Sequence, residues 1–104
     1  MKIRRVDGPS MEPTLLSGDI VLSKRVNTGD LIPGDIIIIK HYGKELIKRL
    51  SSIDSSGIYI SGDNKEQSTD SRHFGLLPIE SEVWRVVMVW PKSARWPRAV
   101  VRSV

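Results

Sequence analysis

Short apolar runs alternate with polar punctuation along the whole chain, and no segment keeps a 3.6-residue period long enough for a substantial helix. Glycine–aspartate pairs mark the breaks at Gly18-Asp19, Gly29-Asp30, Gly34-Asp35 and Gly62-Asp63. Between them, runs rich in β-branched residues predict strands at 3–6, 19–26, 35–41, 44–50, 57–61 and 81–90. Short strands joined by Gly, Asp and Pro turns predict an all-β fold: a small core of antiparallel sheets, arranged as a partly closed barrel or sandwich. The stretch IIIIK-HYGK-ELIKRL reads as a hairpin in which Gly43 supplies the flexible turn position. The last run, SEVWRVVMVW, is apolar on both faces and is expected at the centre of a sheet.

The alternation also singles out one charged residue. Successive side chains of a strand point to opposite faces, so ELIKRL puts Leu46, Lys48 and Leu50 on one face and Glu45, Ile47 and Arg49 on the other. An ammonium packed between two leucines loses hydration, which lowers its pKa and makes a neutral amine available as a proton acceptor. A lysine at an edge would instead run its stem past the leucines and keep its amine in water. Both readings of Lys48 stay open on the pattern alone. The same holds for Ser10 in GPSMEPTLLSGDIVL, which is either a turn serine satisfying local backbone or a nucleophile activated by a nearby base.

Composition narrows the chemistry. A chain of 104 residues with 39% hydrophobic and 27% charged residues suits one small globular domain. No apolar run approaches the roughly 20 residues of a membrane span. The start, MKIRRVDGPS, has the charges of a signal peptide without its apolar middle, so a cytoplasmic location is expected. There is no cysteine, which excludes disulfides and thiolate chemistry, and two separate histidines, His41 and His73, do not make a metal cluster. His73 as a catalytic base is the lesser reading beside that of a surface residue in a turn.

The net charge of +4 is concentrated at the end, where Arg85, Lys92, Arg95, Arg98 and Arg102 have no acidic neighbours. The organisation expected is therefore a domain over residues 1–91 and a basic tail over 92–104. That tail reads as a solvated segment or one packed across the sheet. The other reading is docking on an acidic partner or an anionic lipid surface, with Trp96 as anchor. A non-catalytic β-domain binding nucleic acid through the tail rests on charge alone, since aromatic residues make up only 6% and no stacking platform is readable.

Three stretches taken together carry a family resemblance. GPSMEPTLLSGDIVL, GDIIIIK…ELIKRL and SGDNKEQSTDSRHFGLLP resemble, in order, the three signature boxes of the signal-peptidase-I-like serine proteases. The first box is shared with the LexA-type self-cleaving repressors, and the fold of that group is a β-rich catalytic core. The resemblance implies Ser10 as nucleophile and Lys48 as general base, with no metal or other cofactor. It implies that Ser68 hydrogen-bonds the lysine amine, that Asp70 and Arg72 form a supporting ion pair, that Asp63 and Arg49 form a second, and that Met11 lines the substrate cleft.

Two departures from the family pattern matter. Some members carry a hydroxyl residue two positions before the nucleophile, where this chain has Gly8, and Pro9 has no N–H to offer. The transmembrane anchor of ordinary signal peptidases is also missing before the serine box. The short, anchorless pattern with STDSRHFGLLP and a closing VWP looks most like the nickel superoxide dismutase maturation proteases. That likeness implies a partner protein trimmed in trans at its N-terminus. The alternatives are a signal peptidase relative cleaving leader peptides at the membrane, and a LexA-type self-cleaving peptidase. The latter is disfavoured by the nine residues that precede Ser10.

Overall fold

Four consecutive isoleucines, Ile36 to Ile39, organise the protein. None is more than 3% exposed, although successive residues of a strand face opposite ways. Ile36 and Ile38 pack with Val6, Met11, Leu15, Val21, Val86 and Val89, while Ile37 and Ile39 pack with Leu50, Ile58, Ile60, Leu77 and Val83. This strand therefore lies between two apolar clusters, and each buried isoleucine contributes about 1.5–3 kcal/mol.

The computed structural model describes residues 1–100. Its strands are β1 (Lys2–Arg5), β2 (Ile20–Val26), β3 (Ile36–His41), β4 (Lys44–Asp54), β5 (Gly57–Ser61), β6 (Val83–Trp90) and β7 (Arg98–Ala99). They form one antiparallel sheet in the order β1-β2-β6-β3-β4-β5, with β7 added beside β6. The all-β expectation holds. β6 occupies the central place expected of a strand apolar on both faces, with β2 on one side and β3 followed by β7 on the other. Between the pairs Leu22–Met88 and Ser23–Val86 the register shifts, leaving Val87 as an extra residue. This bulge lets both Val86 and Val89 reach the core.

β3 and β4 form the expected hairpin. Tyr42 and Gly43 both have positive φ, +49° and +79°, the signature of the two-residue turn whose twist matches the strands. β4 runs past its predicted end at residue 50 to Asp54, with a bulge between Leu50 and Ser52. The outer side of β5 is covered by a loop rather than a strand. Ile60 N–H donates to Ser71 Oγ and Gly62 N–H to Asp70 Oδ2, both at 2.9 Å.

The sheet is not closed into a barrel, because β1 and β5 are its two edges and do not pair. It nevertheless curls far enough for Lys2 and Arg4 of β1 to reach Glu45 of β4. Much of the basic tail is tied down: Lys92 N–H donates to Asp19 Oδ1, β7 pairs with Met88 and Val89, and Val100 packs on the Ile36 and Ile38 cluster. Residues 101–104, including Arg102 of the tail, lie outside the described residues.

Candidate active site

A cleft lies between β1 and β4 where the curl of the sheet brings them near each other, lined by Arg4, Arg5, Val6, Asp7, Ser10, Met11, Glu45, Leu46, Ile47 and Lys48. Ser10 comes from the turn that follows β1. That turn is closed by Glu12 N–H donating to the Pro9 carbonyl and Leu15 N–H to the Met11 carbonyl. Met11 and Leu15 bury their side chains in the core, 1% and 0% exposed, which fixes the turn to the sheet. Met11 thus forms the floor of the cleft rather than a mobile wall.

Gly8 has φ +84°, a conformation that strains any residue with a Cβ, which accounts for glycine here rather than a hydroxyl residue. Its N–H is taken by Ser17 Oγ at 3.3 Å. Among the described residues, the Ser10 N–H and hydroxyl have no hydrogen-bond partner, and the Lys48 amine bonds Ser68 rather than Ser10.

Lys48 is only 5% exposed and shares its face with Leu50, a member of the second apolar cluster, and with Leu46, which packs against that cluster half-buried. Desolvation is the main reason its pKa lies below the ordinary lysine value. The Arg72 charge adds to that lowering, and the Asp70 carboxylate opposes it. Its amine donates to Ser68 Oγ at 2.8 Å, and the Ser68 hydroxyl donates in turn to Asp70 Oδ2 at 3.1 Å.

Asp70 is fully buried and accepts from Gly62 N–H, Arg72 N–H and Arg72 Nε at 2.9, 3.1 and 3.0 Å. Burial alone would raise its pKa. The bonds from Arg72, Gly62 and Ser68 outweigh burial and hold it well below the usual carboxylate range. Arg72 also donates to the Lys65 carbonyl at 2.6 Å, tying down the loop that carries Ser68.

The second pair forms as well. Arg49 Nη2 lies 2.6 Å from Asp63 Oδ2 and Nη1 donates to the Gly34 carbonyl at 2.8 Å, while the Thr14 hydroxyl donates to Asp63. This cluster links β4, the turn bearing Ser10 and the loop after β5. Burial opposes ionisation of Asp63, and the bonds from Arg49 and Thr14 prevail to lower its pKa. His73 does not line the cleft: it is exposed and closes the capping box of the short helix α1 (Ser71–Phe74), its Nδ1 accepting from Asp70 N–H.

Two residues of the site escaped the sequence reading. Gly62 lies against both the turn that carries Ser10 and Ser68, the partner of Lys48. A Cβ there would overlap the Ser68 hydroxyl and come within 2.7 Å of the Ser10 carbonyl oxygen. Asn64 donates from its backbone to the Ser10 carbonyl at 2.9 Å and from Nδ2 to the Pro9 carbonyl at 3.2 Å. Both stand in SGDN, where Gly62-Asp63 is one of several similar turn pairs and nothing local shows which backbone it will meet.

Residues 2–75 match the model of the Peptidase S24-like family. The chain belongs to that family. It is 28% identical to mitochondrial inner membrane protease subunit 1 of Xenopus tropicalis, over 86% of this chain and 70% of the relative. With mitochondrial ATP-independent inner membrane protease subunit 1a of Arabidopsis thaliana it shares 31% identity, over 83% and 68%. A shorter match, 33% identical over 46 residues, is to signal peptidase I of Buchnera aphidicola and covers 40% of this chain and 15% of that one. This S24-like chain is accordingly a signal-peptidase-I-like serine peptidase, and its substrates are proteins. Among the described residues no helix is long and apolar enough to cross a membrane, and no three His, Asp or Glu side chains converge to hold a metal ion.

Proposed function

We propose that the protein is an endopeptidase working through a Ser10/Lys48 dyad, which removes an N-terminal extension from a partner protein. The observation that carries this reading is the buried Lys48 amine, held by Ser68 in the cleft that also exposes Ser10. A neutral amine has two N–H donors and one lone pair. With one N–H given to Ser68, whose own proton goes to Asp70, the lone pair is left to accept the Ser10 proton. The Ser10 oxygen then attacks the peptide carbonyl, and the Ser10 N–H stabilises the oxyanion. Lys48 next protonates the leaving amine, and water releases the acyl group from Ser10 with Lys48 again as base.

The strand edges beside the cleft favour an extended peptide. β1 is an edge strand, and β4 pairs with β5 only from Arg49 onward, so residues 44–48 have no strand on that side. A substrate segment laid between them would gain main-chain hydrogen bonds.

The precursor of a nickel-type superoxide dismutase is the proposed substrate, on the strength of the short third box and closing VWP. A second reading, leader-peptide cleavage at a membrane, is favoured by the likeness to the inner membrane proteases. Incubating the protein with a precursor of each kind and weighing the products separates the two. Ser10→Ala and Lys48→Ala are each expected to abolish the cut. Cleavage retained by either variant overturns the dyad.

A further inference from the structure

The end of the cleft away from Lys48 is built from charge. Glu45 accepts from Lys2 Nζ at 2.9 Å, from Arg4 Nε at 2.6 Å and from Arg4 Nη2 at 3.2 Å, so two side chains of β1 meet one of β4 across the gap in the sheet. The Lys2 ammonium is also held over the Trp84 ring, 4.4 Å from its centroid. Hydrogen bonds from Arg4 and Lys2 bring the Glu45 pKa down to about 2, so the carboxylate stays ionised near neutral pH. The cluster therefore carries one surplus positive charge. Arg5 and Asp7 line the same cleft and offset each other.

The surplus charge has donors to spare. Arg4 spends Nε and one N–H of Nη2 on Glu45 and one N–H of Nη1 on the Ile3 carbonyl. A guanidinium has five N–H donors, so among the described residues two remain without a partner, on a side chain that is 43% exposed. Two such donors match the two oxygens of a carboxylate. Glu45 precedes Lys48 by three positions on β4, a distance of about 10 Å at roughly 3.4 Å per residue. An extended substrate lying along β4 would cover that distance in about three residues.

We propose that Arg4, held by Glu45 together with Lys2, is a specificity-determining residue that selects an acidic side chain about three residues from the cleaved bond. The inference rests on the peptidase reading above, and its test separates the two. The full chain carrying Ser10→Ala is titrated with labelled peptides of one scaffold, in which a single Glu, Gln or Lys is moved through the three residues on each side of the bond. Fluorescence anisotropy is expected to show Glu bound about fivefold more tightly than Lys at one position, roughly the third, an advantage that shrinks at high salt. Arg4→Glu reverses the order to favour Lys, Arg4→Gln flattens it, and Glu45→Gln strengthens the preference for Glu.

Equal binding of the three peptides at every position overturns the proposal. So does an Arg4→Glu variant that weakens all peptides alike, as a purely structural tie between β1 and β4 would. No peptide binding at all overturns it too. Charge-selective binding by a chain that, with Ser10 intact, cuts nothing would sink the peptidase reading and keep the subsite. Cutting with a flat charge profile would do the reverse.

Discussion

Lys48 Nζ lies 2.8 Å from Ser68 Oγ, and among the described residues the acceptor-only partner of that hydroxyl is Asp70 Oδ2, 3.1 Å away. The direction of each bond follows, because a carboxylate with so depressed a pKa can only accept. Ser68 must donate to Asp70 and receive from Lys48, which sets the rotation of the amine. Ser68→Ala removes the receiving oxygen while leaving the cleft walls in place. It is expected to lower kcat about 10²-fold, the usual cost of a misplaced catalytic group, with KM little changed. Ser68→Thr keeps the hydroxyl and should recover most of the rate. Steady-state kinetics on one peptide substrate checks both, and an unchanged kcat in Ser68→Ala would remove Ser68 from the machinery.

The lowered Lys48 pKa fixes the pH dependence of the proposed reaction. Only the neutral amine accepts a proton, so kcat/KM should climb with pH through the depressed lysine value and level off before the ordinary 10.5. Lys48→Arg should be inactive at every pH, since a guanidinium stays charged and has no lone pair to offer. A rate that is flat with pH, or activity in Lys48→Arg, would contradict the amine as base.

Gly62 provides a test that leaves every proposed catalytic side chain in place. Its missing Cβ is the space in which the Ser68 hydroxyl and the Ser10 carbonyl come together. Gly62→Ala pushes the two apart, and with them Lys48 and Ser10, the proposed base and nucleophile. The expected result is loss of most activity in a chain that still folds, with near-native circular dichroism and a lower melting temperature. Full activity in this variant would mean that the loop can shift without cost.

How much of this was readable in the sequence depends on the range of each interaction. Alternation placed Lys48 between Leu46 and Leu50, and the structure has Leu50 in an apolar cluster with Leu46 packed against it. The run of four isoleucines carried a further signal that the reading above left unused, a strand buried on both faces, because a half-exposed strand would alternate with polar residues. Those are local facts, settled by a period of two. The Lys2–Glu45–Arg4 cluster was not legible, since it joins residues more than 40 positions apart and depends on how far the sheet curls. Gly62 and Asn64 were hidden for a related reason: what they contact is backbone around Ser10, and backbone has no sequence signature. β7 was missed because two residues after a proline pair with β6 only once β6 is in place.

The Arg49–Asp63 pair is expected to act on stability first. Arg49 reaches Asp63 through Nε at 3.2 Å and Nη2 at 2.6 Å, and Gly34 through Nη1, a geometry one ammonium cannot copy. Arg49→Lys should cost about 2 kcal/mol in urea unfolding, the scale of hydrogen bonds to charged groups in a partly buried site. Because Asp63 also receives the Thr14 hydroxyl, the turn carrying Ser10 should loosen, and kcat should fall together with stability. Replacing Asp63 by Asn keeps the acceptor oxygen and should be milder than Asp63→Ala.

Burying the Lys48 amine has a stability cost whose sign can be worked out. The folded-state pKa of Lys48 is lowered, so between that value and 10.5 the unfolded chain holds a proton that the folded chain has released. Stability then rises with pH across the window, because the unfolded state binds more protons. Below the folded value both states are charged, and the folded state bears the full desolvation cost. Lys48→Met fits the slot between Leu46 and Leu50 with a side chain of similar length and no charge, and Ser68 keeps Asp70 as its acceptor. The variant is expected to be inactive but more stable than the parent near neutral pH. Its advantage should shrink steadily as pH approaches 10.5. Urea unfolding of the two chains across that range reads the difference directly. A methionine variant that is less stable near neutral pH, or whose advantage widens with pH, would show that the folded protein favours the charged amine.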